Sequence, residues 1–172
     1  MASHEPDTDA QALDPQQLGT YFALMEAVSL LQHQVEQQLR AEGGISYVQF
    51  QLLARLAGAH GPLTMTQLAD GVVYSRSGLT YQAGLLEKAG LLTRSPSPDD
   101  DRATLVTITD SGRALFAQVL PGHVEVCRRL LFDPLSGEDL DRLGGIMALV
   151  RDHMRAQPPR SAAPRKRRTG PG

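Results

Sequence analysis

Three observations predict a mainly α fold with a small β-hairpin wing. Residues 75–88, SRSGLTYQAGLLEK, have helical periodicity with distinct apolar and polar sides. A short strand around Leu92 to Arg94 and the alternating run TLVTIT flank a Pro/Asp loop, SPSPDDDRA. A second short helical pattern precedes residue 75, joined to it through GVVY. Helix, tight turn, helix, strand, long loop, strand is the order of a winged helix-turn-helix. Apolar helical stripes on both sides of this lobe add a helical dimerisation region.

The elements follow from local signals. Residues 1–13 are polar, with Glu5, Asp7 and Asp9, and are expected to form a disordered acidic tail. Asp14 caps a first helix, with Pro15 in its first turn and Gln17 three residues on. Ser46 with Gln49, Thr64 with Gln67, and more weakly Ser136 with Asp139 repeat the capping-box spacing. An apolar staple spans each cap: Leu13 with Leu18, Ile45 with Phe50, Leu63 with Leu68, Leu135 with Leu140. Tyr74 and Leu79 form another across Ser75.

These signals predict helices near 14–42, 46–58, 64–72, 75–89 and 136–156. A further helix runs from Thr109 towards Leu131, and Pro121-Gly122 is expected to kink or split it. Two prolines in the loop Ser95–Ala103 resist strand pairing, so that loop should project. Residues 14–156 thus form one domain: helices 14–42 and 110–156 for dimerisation, 46–109 as the DNA-binding lobe. Residues 157–172 form a disordered basic tail.

Bulk composition narrows the class. The chain has 172 residues, of which 41% are hydrophobic, enough for one domain with a sizeable core. Its net charge of -2 hides a split between an acidic N-terminal end and the basic RKRR near the C-terminal end. RKRR reads either as a solvated tail or as a source of phosphate contacts. The single cysteine, Cys127, excludes an internal disulfide framework and fits a reducing cytosol. With no signal-peptide pattern and no membrane-length apolar run, a cytoplasmic, nucleoid-associated protein is expected.

The helix from Ser75 carries the candidate chemistry. Leu79, Ala83 and Leu86 share one side; Ser77, Thr80, Tyr81, Gly84 and Lys88 share another, with Arg76 at the start. Short donors near a helix N-terminus suit base edges and phosphates. A helix with water on its polar side shows the same pattern. Gly84 would let a backbone approach closely. In the loop, Asp100 and Arg102 are two apart, so the carboxylate could pair with the guanidinium and brace it for a minor groove. The run Asp99 to Asp101 also fits a solvated charge cluster. The DNA-binding candidates are Ser75, Arg76, Ser77, Thr80, Tyr81, Lys88, Arg94 and Arg102, with Asp100 as the wing brace.

From Leu18 to Met154 the chain resembles the MarR family of winged-helix transcriptional regulators. GGISYVQFQLLARL and LSGEDLDRLGGIMALV contribute, and the segment from LLEKAGL through DDDRATLVTITDSG is the specific part. The resemblance implies an obligate homodimer whose terminal helices entwine. Each protomer would then place its winged helix on half of a pseudo-palindromic double-stranded DNA operator. It puts Ser77, Thr80 and Tyr81 at recognition-helix contact positions and matches Asp100 and Arg102 to the Asp-x-Arg wing element. It also implies a small aromatic or phenolic effector, without assigning pocket residues. Two positions depart: Tyr81 stands where many relatives have arginine, and Asp101 where they often have a second one.

The stripes support the dimer independently. Leu18, Phe22, Met25, Val28, Leu31, Val35 and Leu39 mark the first helix; Leu140, Leu143, Met147, Val150 and Met154 mark the last. One small lobe cannot cover both stripes together with that of residues 115–131. Cys127 on the third stripe reads as a buried structural thiol, and His123-Cys127 at i, i+4 is too sparse for a metal site. No Gly-rich phosphate loop, metal-ligand spacing or nucleophile motif is present, so neither an enzyme nor a cofactor is expected. The sequence therefore points to a ligand-responsive dimeric regulator, a repressor by expectation. The alternative is a winged-helix protein-interaction module with lost or weak DNA binding, which the acidic loop motivates.

Overall fold

The computed structural model describes residues 12–70, 76–98, 100 and 102–156. The acidic and basic tails and the Ser75 cap lie outside them. The described residues form two compact units, one up to Leu130 and one from Leu131.

The first unit opens with α1 (Pro15–Gly43) and α2 (Tyr47–Gly58). Then come β1 (Leu63–Thr64), α3 (Met65–Ala69), α4 (Arg76–Lys88), β2 (Leu92–Pro96), β3 (Thr104–Ile108) and α5 (Asp110–Cys127). The second unit carries α6 (Gly137–Arg155), and a π-helical turn, Arg128–Phe132, links α5 towards it.

Most of these helices begin where side chains take up the orphan amides. Asp14 Oδ1 accepts the Gln17 N–H at 2.8 Å, and Gln17 Oε1 accepts the Asp14 N–H at 3.0 Å. Ser46 with Gln49 and Thr64 with Gln67 form the same reciprocal boxes. Ser136 accepts the Asp139 N–H without the return bond, because the shorter Asp side chain bonds the Ser136 hydroxyl instead.

The sheet has three antiparallel strands in the order β1-β3-β2. β2 and β3 form the expected hairpin, with Leu92 opposite Ile108 and Pro96 opposite Thr104. β1 was not expected. Its two residues pair Leu63 with Val106 and Thr64 with Leu105, too short a run to show alternation. Of the kink or split expected at Pro121, the split does not occur, and α5 is continuous through it. α1 lies along that stretch and supports it: Gln38 Nε2 donates to the Val119 carbonyl at 3.0 Å, and Val119 is fully buried.

α2 runs through the core, with Leu52, Leu53 and Leu56 buried. Leu68, Leu79, Ala83, Leu86, Leu92, Val106 and Ile108 surround it, and α1 and α5 add Val35, Leu39 and Val119. Each such leucine contributes about 1.5–3 kcal/mol through removal of apolar surface from water. The predicted α1 stripe is buried only towards its C-terminal end. Leu18, Phe22, Met25 and Val28 are exposed, Phe22 by 59%, as are Tyr21 and Leu30 beside them. No residue of α6 is buried.

One contact limits the α4-to-α5 arrangement. The N-terminal turn of α5 lies so close to the start of β2 that a Cβ at Gly112 would run into the Leu91 carbonyl and the Ile108 side chain. We expect Gly112→Ala to lose roughly 2–4 kcal/mol, since backbone cannot yield as a side-chain tip can. Gly58→Ala, in the last turn of α2 with open space around it, should be neutral or stabilising by up to about 1 kcal/mol. Denaturant unfolding of the two variants distinguishes them. Equal stabilities would refute the close-contact account.

Candidate nucleic-acid interface

α4 is amphipathic in the way its sequence predicts. Leu79, Ala83 and Leu86 are buried against the core, while Ser77, Thr80, Tyr81 and Lys88 are exposed, Tyr81 by 65%. Arg76 occupies the first position of α4. A recognition surface needs such a helix anchored on one side and open on the other. The anchor extends to α3, whose last turn receives a hydrogen bond from α2: Arg55 Nη2 donates to the Gln67 carbonyl at 3.0 Å. The sequence reading passed over Arg55, because an arginine on a helix shows no partner in its own periodicity.

The end of α4 is a Schellman turn. The Leu91 N–H donates to the Leu86 carbonyl at 2.9 Å and the Gly90 N–H to the Glu87 carbonyl at 2.9 Å, with Gly90 at φ 73°. The chain therefore leaves the helix at a defined angle and enters β2 directly.

The wing is closed by backbone bonds. The Ser97 N–H donates to the Ala103 carbonyl at 2.9 Å, and the Ala103 N–H to the Asp100 carbonyl at 2.9 Å. Arg102 sits on this turn with its side chain exposed. Asp100 contacts Arg102 by a route other than the expected pairing. Asp100 Oδ1 accepts the Arg102 backbone N–H at 2.9 Å, and among the described residues no ion pair joins the two side chains. An aspartate two residues before an N–H is well placed for this Asx turn, which orders the loop and leaves the guanidinium for another partner.

Arg94 differs from Arg102. Its Nε and Nη2 donate to Glu87 Oε2 at 2.9 and 2.6 Å, and its backbone N–H donates to Glu87 Oε1 at 3.1 Å. The guanidinium beside Glu87 holds that carboxyl below the usual carboxylate range, mainly through these side-chain hydrogen bonds. A lowered value means the pair is intact above the ordinary range of about 4.3 and is lost only as pH falls through the lowered value. Gly84 has a guanidinium beside it within the chain. The Arg94 Nη2 lies 3.7 Å from where its Cβ would be. Glu87 was missed by sequence reasoning; its signal is a carboxylate seven residues before an arginine across a Gly turn.

Elsewhere, Cys127 Sγ is 3.7 Å from His123 Nε2, and the His123 ring lies tilted against Phe50 with centroids 4.4 Å apart. Burial pushes the thiol up and the imidazole down, which favours both neutral forms. A depression of about 130 Å³ between α3 and α4, lined by Met65, Thr66, Ala69, Leu79 and Thr80, is smaller than drug-sized ligands need. Among the described residues no helix is long and apolar enough to cross a membrane.

The Asx turn makes a checkable claim about wing order. Asp100→Ala removes the acceptor and should speed limited tryptic cleavage after Arg102 roughly tenfold by raising the open population. Asp100→Asn keeps an oxygen acceptor and should cleave at nearly the parent rate. Equal rates for both variants and the parent would show that another contact orders the loop.

Comparison with known proteins agrees with this arrangement. The MarR family model matches residues 43–103. The chain is 30% identical over 154 residues to the HTH-type transcriptional regulator PecS of Dickeya dadantii, covering 88% of this chain and 89% of PecS. Among solved structures it resembles Sco3205, a MarR family transcriptional regulator from Streptomyces coelicolor crystallised in complex with DNA. The identity there is 32%, the TM-score 0.82, and 90% of this chain and 96% of Sco3205 are covered. The fold is shared with Bordetella bronchiseptica BpsR, whose DNA binding is regulated by 6-hydroxynicotinic acid, at 22% identity and TM-score 0.65. That match covers 79% of this chain and 98% of BpsR. With its winged helix-turn-helix and a relative matched along nearly its whole length, the chain belongs to the MarR family of transcriptional regulators.

Proposed function

We propose that two copies of this chain bind a pseudo-palindromic DNA duplex, each placing α4 in a major groove and its wing in the adjacent minor groove. The observation that carries the reading is the joint presentation of two features: the exposed polar face of α4 and Arg102 on a wing ordered from its own backbone. Ser77, Thr80 and Tyr81 are base-edge or phosphate partners in this reading, Arg76 lies at the positively polarised helix start, Ser75 is a further phosphate candidate before it in sequence, and Lys88 serves the backbone. The complex of Sco3205 with DNA supports it by likeness.

Homodimerisation follows from the unfilled apolar surface. Leu18, Phe22, Met25 and Val28 on α1, and Leu140, Ile146, Leu149 and Met154 on α6, are all exposed. A soluble monomer rarely leaves so many large apolar side chains in water. A regulator of this design acts as a repressor when its operator overlaps a promoter. A small aromatic acid would release it by binding one dimer conformation better than the other. The fold shared with BpsR, whose DNA binding is regulated by the aromatic acid 6-hydroxynicotinic acid, supports that ligand class.

Gel retardation with the DNA upstream of the chain's own coding region tests the reading. A discrete complex that resists excess unrelated duplex is expected, with two protomers per duplex. Arg102→Ala should weaken it and lower the salt slope, d log K/d log[salt], by about one in magnitude, the signature of one lost cation on DNA. No retardation at low salt would overturn DNA binding. Unchanged affinity in Arg102→Ala, with loss of a protein partner instead, would favour an interaction module.

A further inference from the structure

Arg94 is a cation on the wing strand of a DNA-reading fold, and it is engaged within the protein by Glu87. Along β2, Leu92 is buried, Thr93 is exposed and Arg94 is half-buried. The two-residue period of a strand therefore puts Arg94 on the inner face with Leu92. Its partner across the sheet, Val106, is fully buried on that same face. From there the guanidinium crosses the side of α4 above Gly84, where no side chain obstructs it, and reaches Glu87 one turn later.

Three donors of one residue thus converge on one carboxylate, two from the side chain and one from the backbone. The side chains are 29% and 35% exposed, so the pair is neither a free surface ion pair nor a fully desolvated one. Ion pairs this wet add little to overall stability. Their geometry is the notable feature. A planar guanidinium bound through Nε and Nη2 to one carboxylate oxygen, with the strand amide on the other, resists both sliding and rotation of β2 against α4. The Schellman turn at Gly90 supplies the second attachment between the same two elements.

We propose that Glu87 and Arg94 form a clamp that sets the angle between the recognition helix and the wing. Both are positioning residues for DNA reading, not DNA contacts. The inference rests on the DNA-binding reading above and deepens it. A helix and a wing that must enter neighbouring grooves together can do so only at one relative setting. An unclamped wing would still attract phosphates but would lose sequence discrimination.

The test uses the full-length protein and a duplex that the parent protein selects from a random pool, alongside a scrambled duplex of equal length. Glu87→Ala and Arg94→Ala should each weaken binding to the selected duplex about tenfold, while binding to the scrambled duplex stays within about twofold. Their combination should lose about as much as either alone, because the two act as one unit. The salt slope should be that of the parent in all three. Exchanging the charges, Glu87→Arg with Arg94→Glu, should recover part of the discrimination.

A merely destabilised fold would weaken both duplexes equally, and circular-dichroism melts check for it; Glu87→Gln, which keeps the side-chain shape but loses the charge and one of the two acceptor oxygens, serves if an alanine variant is unfolded. The clamp is overturned if Arg94→Ala weakens both duplexes alike and lowers the salt slope by about one while Glu87→Ala binds more tightly, since Arg94 would then be a phosphate contact. Parent discrimination in Glu87→Gln and Arg94→Lys, both folded, would also overturn it. If the parent selects no duplex, the DNA-binding reading itself fails, and the inference fails with it.

Discussion

Thr109 holds four elements together at one point. Its hydroxyl donates to the Gly90 carbonyl at 2.7 Å and accepts the Gly112 N–H at 3.0 Å, while its own N–H donates to the Leu91 carbonyl at 3.2 Å. One residue therefore ties the end of α4 and the start of β2 to the end of β3 and the first turn of α5. Gly112 completes the junction by having no Cβ, so the α5 backbone can lie against Leu91. A larger gap there would lose both hydrogen bonds, each worth about 0.5–1.5 kcal/mol. The consequence is mechanical. α5 packs along α1 through Val119 and the Gln38 hydrogen bond, so the recognition helix is joined to the α1–α5 pair by polar bonds rather than by a free linker.

Two arginines of the wing hairpin show how the same residue type takes opposite roles. Arg94 stands on the inward side of a strand, within reach of a carboxylate on α4, and is used inside the protein. Arg102 stands on a turn whose aspartate is occupied by a backbone N–H, and its guanidinium is exposed. Local geometry decides between them, not net charge. A chain with a formal charge of -2 can still present cations where a groove would meet them.

Much of this was legible in the sequence, for identifiable reasons. Asp14, Ser46 and Thr64 announced their helices because capping boxes are local, with both partners three residues apart. The buried side of α4 was legible because one helix face packs on one core. β1 was hidden because two residues carry no period and the pairing with β3 is long-range. The unbroken α5 was hidden because the proline penalty is local, whereas the α1 side chains that hold that segment are about eighty residues away. The roles of Arg94 and Asp100 were hidden in the same way. Spacing showed that a partner could exist but not which donor would take it. The candidate surface of α4 could be named from sequence; the bonds that set its angle could not.

In the proposed complex DNA meets the outer face of α4 and the wing, while the junction behind them stays intact. Amide hydrogen exchange followed by mass spectrometry, with and without a selected duplex, tests this most directly. Exchange should slow on DNA addition over residues 76–81 and around Arg102 and Ala103. The amides of Thr109 and Gly112 should already exchange slowly and should not change. If α4 exchanged at the same rate with and without DNA while protection appeared on another surface, the assignment of the reading face would be wrong.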